Sequence, residues 1–247
     1  MTPLHEQYDR QRRWRDFDTV YARLGPLAGL RVADAGCGSG TVSADLAARG
    51  ADVVGIDTDA ALLAHAARQV PAATFRKATL ETPGLWGADG FDLVWCSFAM
   101  AYLSEPVSVL RTWRTILGRD ARMVLIEIAD LFAHAPLGPE DRAALAAFER
   151  MTRTEGSYRF DAGHHLGSWA TEAGYVVVED FDLQDGELCA QGPCSDDVRQ
   201  AWANRIDRMP RLQAIVAPGF KDRFLACLEQ TGHISGTRVR CVIARAA

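Results

Sequence analysis

The chain has 247 residues, of which 48% are hydrophobic and 24% are charged, so it is long enough to bury a substantial core. Its formal net charge is −5 and its 27 Lys and Arg residues are scattered, which disfavours nucleic acid as the main ligand, because phosphate neutralisation needs a clustered basic face. Residues 1–15 lack an apolar signal core and no apolar run approaches the length of a membrane span, so we expect a cytoplasmic protein with reduced cysteines and no membrane contact.

The first half of the chain alternates between helices and strands. One or two amphipathic helices are predicted within residues 4–24, ahead of the first strand. The later strands are short apolar runs, as expected for parallel strands covered on both faces. Strands are predicted at 31–35, 52–57, 73–77, 91–97 and 122–128, and helices at 41–49, 59–70 and 106–117. This alternation predicts one α/β sheet with helices on both faces.

After residue 130 the alternation is replaced by a mainly helical pattern. Helices are predicted at 139–154, 166–173, 196–209 and 220–231, and two more strands at 175–183 and 237–244, with Asp196 as a candidate N-cap. We expect a single domain, 1–247, with a helical lid at 1–28. Segments 130–160 and 184–236 should form a helical cap over the acceptor site or a homodimer contact, although no heptad pattern supports a dimer.

A glycine-rich turn follows the first strand. Gly36, Gly38 and Gly40 stand at alternate positions, where the lack of Cβ atoms allows a close backbone approach to a bound molecule and positive φ angles. Amide groups at the start of the next helix favour polar or anionic ligand groups. Asp57 ends the second strand at the same edge of the sheet, where a carboxylate can accept hydrogen bonds from the ribose of an adenosine-containing cofactor.

The spacing of the glycines distinguishes two such cofactors. A dinucleotide fingerprint reads G-x-G-x-x-G, but here the third glycine, Gly40, comes one residue early. Asp34 precedes the turn, and its carboxylate would repel a pyrophosphate but attract a cation. The pattern therefore favours S-adenosylmethionine, which carries an ammonium and a sulfonium group, over a nicotinamide dinucleotide.

Residues 32–40, Val-Ala-Asp-Ala-Gly-Cys-Gly-Ser-Gly, resemble the first motif of class I S-adenosylmethionine-dependent methyltransferases. The resemblance continues through 54–57, 91–97, 102–106 and 123–127, and so covers about residues 30–130. It implies a Rossmann-like seven-stranded sheet of order 3-2-1-4-5-7-6 with strand seven antiparallel.

The resemblance also implies roles for individual residues. Asp34 would hold the ammonium group of the cofactor, Asp57 the ribose hydroxyls, and the backbone of the glycine turn the methionine part. Thr79 stands where many relatives carry an Asp that binds the adenine amino group, and Glu81 could substitute for it. The remaining contacts would come from Gly36, Cys37 and Gly38 in the turn, Thr58 and Leu80 at the adenine, and Ser97 and Phe98 at the methionine end, facing the acceptor.

Methyl transfer is an in-line displacement, so the protein mainly aligns the acceptor and excludes water. A general base is needed only if the acceptor loses a proton. His164 and His165 are the catalytic candidates, because imidazole accepts a proton near neutral pH, with a surface or helix-capping role as the alternative for each. Glu127, Asp130 and His134 are further candidates. No metal site is predicted, because the histidine spacing is not that of a tight site.

The sequence therefore predicts methyl transfer from S-adenosylmethionine to a small, partly hydrophobic or aromatic acceptor, with O-methylation favoured over N- and C-methylation. One alternative is an RNA or protein methyltransferase, which needs a basic surface around the cofactor mouth. Another is a protein that binds the cofactor without catalysis, which would have an occluded acceptor pocket.

Overall fold

The computed structural model describes residues 3–87 and 90–246. Residues 1, 2 and 247, at the ends of the predicted lid and domain, lie outside these ranges. Within them, the main sheet has seven strands: β1 (Arg31–Ala35), β2 (Asp52–Asp57), β3 (Thr74–Lys77), β4 (Phe91–Ser97), β5 (Leu117–Ala129), β6 (Tyr175–Leu183) and β7 (Arg238–Ala246). Their order across the sheet is β3-β2-β1-β4-β5-β7-β6.

Neighbouring strands from β1 to β5 pair in parallel, and β7 runs antiparallel to both β5 and β6. This arrangement confirms the predicted Rossmann-like α/β fold and its strand order. Because successive side chains of a strand point to opposite faces, Val32 and Trp95 pack in one apolar cluster, whereas Ala33 and Val94 pack in the other. The sheet is thus covered on both sides.

Ten helices surround the sheet in the described residues. They are α1 (Leu4–Gln11), α2 (Phe17–Leu24), α3 (Thr41–Ala48), α4 (Ala60–Gln69), α5 (Pro106–Trp113), α6 (Pro139–Thr154), α7 (Ala162–Glu172), α8 (Asp196–Asp207), α9 (Pro210–Gln213) and α10 (Phe220–Glu229). Two strands of two residues each, His134–Ala135 and Ile234–Ser235, pair outside the main sheet and were not predicted. None of the described helices is both long and apolar enough to cross a bilayer.

Several predicted boundaries were wrong. The predicted helix 106–117 ends at Trp113, and β5 starts at Leu117 instead of 122, because Leu117 continues the sheet by pairing with Phe91. Helix α7 starts at Ala162 instead of 166. The N-cap of α8 is Ser195 and not Asp196, since the Ser195 hydroxyl accepts the Val198 N–H.

The helices of the second half share their core with the sheet. Phe132, which follows β5, packs against Phe224 of α10 with ring centroids 6.5 Å apart and against Trp202 of α8 at the same distance. All three rings belong to the apolar cluster that contains Val32 and Trp95. Helices α6, α8 and α10 therefore extend the sheet's own core toward the carboxyl ends of the strands.

Candidate active site

The glycine turn closes tightly against β2. The N–H groups of Gly36 and Cys37 both donate to the Ile56 carbonyl, at 2.8 and 2.9 Å. Gly36, Gly38 and Gly40 have φ angles of +79°, +53° and +84°, which side chains rarely adopt. A Cβ at position 36 would also lie 2.7 Å from the Cβ of Ala99. The turn therefore requires glycine for its conformation and for the close approach of the loop after β4.

Asp57 lies beside this turn, and its carboxylate already accepts two backbone hydrogen bonds. Its Oδ2 accepts the Gly38 N–H at 2.9 Å, and its Oδ1 accepts the Asp59 N–H at 2.9 Å. An ionised carboxylate has about four acceptor positions, so two remain for a ligand. These backbone donors fix the carboxylate in place, and the half-buried side chain can accept hydrogen bonds from hydroxyl groups in the cavity.

Asp34 is a buried carboxyl group at the end of β1. Its side chain is 1% exposed and Oδ2 accepts the Ser43 hydroxyl at 2.6 Å. Burial raises the pKa of Asp34 to about 7, and the nearby negative charge of Asp57 also raises it. A cation placed in the cavity would offset both effects, which suits the ammonium group of S-adenosylmethionine.

One cavity of about 840 Å³ joins these features. Its volume lies within the range that is typical of small-molecule and cofactor sites. The structure brings all the sequence-predicted cofactor residues to its wall: Asp34, Gly36, Cys37, Gly38, Asp57, Thr58, Thr79, Leu80, Ser97 and Phe98. Glu81, the substitute considered for Thr79, lines it as well.

Helix α1 lies over the glycine turn. The Ser39 hydroxyl donates to Asp9 Oδ1 at 2.8 Å, and the Tyr8 ring lies 3.4 Å from where a Cβ on Gly38 would be. Tyr8, Leu4 and Gln11 all line the cavity. The N-terminal helix therefore closes the cavity above the turn.

The far end of the cavity is apolar and aromatic. Tyr102 and Tyr158 meet edge to face with centroids 4.8 Å apart. Phe98 adopts a positive φ of 57°, unusual for a side-chain-bearing residue, which marks strain at the site. This surface is completed by residues from the end of β5, the following loop and α6, and comprises Phe98, Tyr102, Ile128, Leu131, Phe148, Tyr158 and Phe160.

Four arginines also line the cavity, and the sequence analysis missed them. They are Arg15, Arg205, Arg208 and Arg211. Arg205 pairs with the buried Glu187 at 2.5 Å, and Arg15 lies 3.7 Å from the buried Asp185. Arg205 and Arg208 are three residues apart, and that spacing on one helix face is the sequence signal that indicates a shared surface.

His164 and His165 are not on the cavity wall. His164 Nε2 lies 2.7 Å from Asp130 Oδ2, and His165 Nε2 lies 2.9 Å from Asp161 Oδ2. The first histidine side chain is exposed and the second is half-buried at the start of α7. The hypothesis that one of them is the general base stays a prediction, and the structure gives it no contact with the cavity.

The other candidate bases have structural partners. Glu127 is completely buried and accepts the N–H groups of Ala101 and Ile128 at 3.2 and 2.9 Å, while burial raises its pKa to about 7. It ties the turn after β4 to the end of β5. His134 is buried against His233, with ring nitrogens 2.9 Å apart, and burial lowers its pKa to about 3. Within residues 3–87 and 90–246, no group of three metal-ligating side chains is assembled.

Known methyltransferases are similar to this chain in sequence. A family model described as "Methyltransferase domain" matches residues 32–120. The ubiquinone biosynthesis O-methyltransferase of Stutzerimonas stutzeri is 29% identical over 203 residues, which cover 79% of this chain and 83% of that protein.

Solved structures share the fold at low sequence identity. An S-adenosylmethionine-dependent methyltransferase from Mesorhizobium loti superposes with a TM-score of 0.56 at 21% identity, covering 93% of this chain and 97% of that one. Geranyl diphosphate C-methyltransferase from Streptomyces coelicolor, solved with S-adenosylhomocysteine, gives a TM-score of 0.57 at 15% identity, covering 93% and 76%.

The strand order, the glycine turn with Asp34 and Asp57, and the domain match agree with one another. The chain is a class I S-adenosylmethionine-dependent methyltransferase. Its cofactor is S-adenosylmethionine, as the resemblance of residues 32–40 implies.

Proposed function

We propose that this methyltransferase transfers a methyl group to an oxygen atom of a small, partly hydrophobic or aromatic acceptor. The observation that carries the proposal is the continuity of the cavity, which runs from the glycine turn to the aromatic surface around Tyr102 and Tyr158. The relative from Stutzerimonas stutzeri, which spans most of this chain, is named an O-methyltransferase of ubiquinone biosynthesis and favours oxygen as the methylated atom.

We infer that the strand-end residues hold the cofactor as the resemblance implies. Asp34 would face its ammonium group, since an opposite charge compensates a buried carboxylate. Asp57 would accept the ribose hydroxyls on its free acceptor positions, and Thr79 and Leu80 would contact the adenine. The backbone of Gly36, Cys37 and Gly38 would lie against the methionine part, with Thr58, Ser97 and Phe98 completing the site. The bound cofactor supplies an activated methyl group.

The acceptor end of the cavity aligns the acceptor and keeps water away from the methyl group. Apolar rings around the far end of the cavity exclude water and orient a flat or apolar acceptor, and both effects favour an in-line displacement. No histidine lines this cavity among the described residues. Alignment is therefore the main contribution that we assign to the protein.

The two alternative functions, RNA or protein methylation and cofactor binding without catalysis, predict different surfaces around the cofactor site. An RNA or protein methyltransferase would need a broad basic mouth, whereas the arginines found here lie on the cavity wall and three of them contact buried or neighbouring carboxylates. A protein that only binds the cofactor would leave no room beyond it, whereas this cavity extends past Ser97 to Phe160. A cytoplasmic location and a homodimer through the inserted helices stay predictions.

A methyl-transfer screen tests the proposal. Purified protein with radiolabelled S-adenosylmethionine should label small phenolic or hydroxylated apolar acceptors and leave RNA and protein unlabelled. The matched control is Asp57→Ala, which should lose labelling together with cofactor affinity. Labelling of RNA or protein alone would contradict the proposal, as would tight cofactor binding without transfer to any acceptor class.

A further inference from the structure

Arg208 differs from the other arginines of the cavity. It follows α8 as its C-cap residue and lines the cavity, and its Nη1 atom is buried without a hydrogen-bond partner, as are the Nε atoms of Arg15 and Arg205. Among the described residues it takes part in no ion pair, whereas Arg15, Arg205 and Arg211 each have a carboxylate partner. A buried donor without a partner costs free energy, so a ligand group that accepts its hydrogen bonds would be stabilised there.

The charges around Arg208 leave a positive surplus. Arg15, Arg205 and Arg208 face two buried carboxylates, Asp185 and Glu187. Glu187 lies beyond ion-pair distance of Arg208; its Oε1 accepts Arg205 and Gln11, and its Oε2 has no hydrogen-bond partner. Burial also lowers the pKa of Arg208, as does the neighbouring positive charge of Arg205. One guanidinium in this group is therefore uncompensated.

The two signs of charge on the cavity wall come from different parts of the fold. The acidic lining residues, Asp34, Asp57, Asp59 and Glu81, lie at or just after the carboxyl ends of β1, β2 and β3. The arginines come from the segment before α2 and from the end of α8 onward. The guanidinium of Arg15 lies 4.0 Å from the ring centroid of Phe98, and Arg208 and Tyr102 line the same cavity, which places the arginine group beside the aromatic surface. A cationic cofactor group is favoured at the first part and an anion at the second.

We propose that the methyl acceptor is an organic anion and that Arg208 binds its carboxylate or phosphate group. The inference deepens the proposed function, on which it rests, by naming the class of acceptor. A guanidinium presents a planar pair of donors that matches either anion bidentately, and such charge-assisted bonds are the strong ones. The aromatic surface would hold the apolar body of the same molecule, with its hydroxyl toward Ser97 and Phe98.

Titration calorimetry of the protein saturated with S-adenosylhomocysteine tests this assignment. The probes are acids and their uncharged amides: 4-hydroxybenzoate with 4-hydroxybenzamide, and 6-hydroxy-2-naphthoate with its amide. Phenyl phosphate and phenylacetate separate a phosphate from a carboxylate preference. We expect the acid to bind about tenfold to a hundredfold more tightly than its amide in at least one pair, as loss of a charged hydrogen bond implies.

Two variants and one control identify the residue responsible. Arg208→Gln should remove the preference for the acid, and Arg208→Lys should retain part of it, while affinity for S-adenosylhomocysteine is unchanged in both. The control is Arg199→Gln on the same helix, where Arg199 pairs with Asp196 and Glu229 outside the cavity. The Arg199→Gln variant should keep the full preference for the acid over its amide. Unchanged affinity for S-adenosylhomocysteine also shows that each variant is folded.

The outcomes separate this inference from the proposed function. Equal binding of every acid and its amide, or an undiminished preference in Arg208→Gln, overturns the assignment of Arg208. If radiolabel enters only uncharged acceptors, the methyltransferase function holds and the anionic acceptor is excluded. If acids bind through Arg208 but no acceptor is labelled, the anion site stands and the proposed transfer reaction fails.

Discussion

The two walls of the cavity are built in different ways. The strand-end wall consists of the glycine turn and of carboxylates at the carboxyl ends of β1, β2 and β3, and these members lie within residues 34–81. The helix wall consists of side chains from segments far apart in the chain, from Leu4 to Arg211. The first wall depends on turn geometry and the second on tertiary packing.

The strand-end wall serves cofactor binding, which many proteins share, whereas the helix wall serves recognition of a particular acceptor. A wall of backbone and fixed carboxylates can hold the same cofactor in many proteins, because any sequence that makes the turn provides it. A wall of side chains on helices can change residue by residue, so it determines the acceptor. Variants of the strand-end wall should therefore alter cofactor affinity, and variants of the helix wall should alter acceptor affinity.

The largest effect is expected from Gly36→Ala. The new Cβ would have to displace Ala99 and would adopt a φ of +79°. Gly29→Ala is the matched control, because Gly29 has a φ of +77° and nothing within 4 Å of the added Cβ. Both variants should lose about 1 kcal/mol of stability through the left-handed conformation. Gly36→Ala should lose about 1–3 kcal/mol more through the clash.

Chemical denaturation gives the two stabilities, and calorimetry with S-adenosylhomocysteine gives the affinities. Only Gly36→Ala should weaken cofactor binding, because only its turn lies on the cavity wall. Equal losses of stability in the two variants would show that the close approach of Ala99 is unimportant.

The second largest effect is expected from Asp57→Ala. It removes the acceptor of the Gly38 N–H and the free carboxylate positions, so the dissociation constant of S-adenosylhomocysteine should rise about tenfold to a hundredfold. Asp52→Ala, at the exposed start of the same strand, is the control and should leave binding unchanged. Similar effects of the two substitutions on calorimetric affinity would argue against a role for Asp57 in cofactor binding.

Asp34 should make cofactor binding depend on pH. Burial raises its pKa from the ordinary 3.8 to about 7 in the free protein, so the carboxyl is mostly protonated below that pH. A bound ammonium group needs the ionised form. The affinity for S-adenosylhomocysteine should therefore fall by about tenfold from pH 8 to pH 6, as proton linkage requires.

Asp34→Asn is the control for that pH dependence. The variant should bind S-adenosylhomocysteine weakly at both pH 8 and pH 6, and its affinity should not show the roughly tenfold change with pH that Asp34 causes. The raised pKa also means that the free wild-type protein loses stability as pH rises from about 4 to 7, because unfolding releases the buried carboxyl to ionise. A cofactor affinity that is independent of pH in the wild type would exclude this role for Asp34.

The smallest effect is expected at the two adjacent histidines. His164→Gln and His165→Gln remove half-exposed pairs with Asp130 and Asp161, which are worth at most about 1 kcal/mol. Because neither side chain reaches the cavity wall, turnover measured by methyl transfer should stay within about twofold of the wild type. If turnover collapses while cofactor affinity is unchanged, one of them is the general base.

The fold of the first half was predictable because its signals are local. Strands β1, β2 and β4 begin and end at the predicted residues, since each is a short apolar run bounded by Gly, Asp or Ser. The early start of β5 was missed because Leu117 joins the sheet through Phe91, which no local pattern reveals. The predicted cofactor residues reach one cavity because parallel strands place their carboxyl ends at the same edge.

The amino-acid sequence by itself determined the class of enzyme and the strand-end wall, because a glycine turn and two carboxylates at fixed spacing need only the β–α unit around them. The tertiary structure decided the helix wall. It brought Arg15, Arg205 and Arg208 together beside Tyr102 and moved His164 away from the cavity. Contacts between segments almost 200 residues apart depend on how the helices pack on the shared core, and no local spacing in the chain encodes that packing.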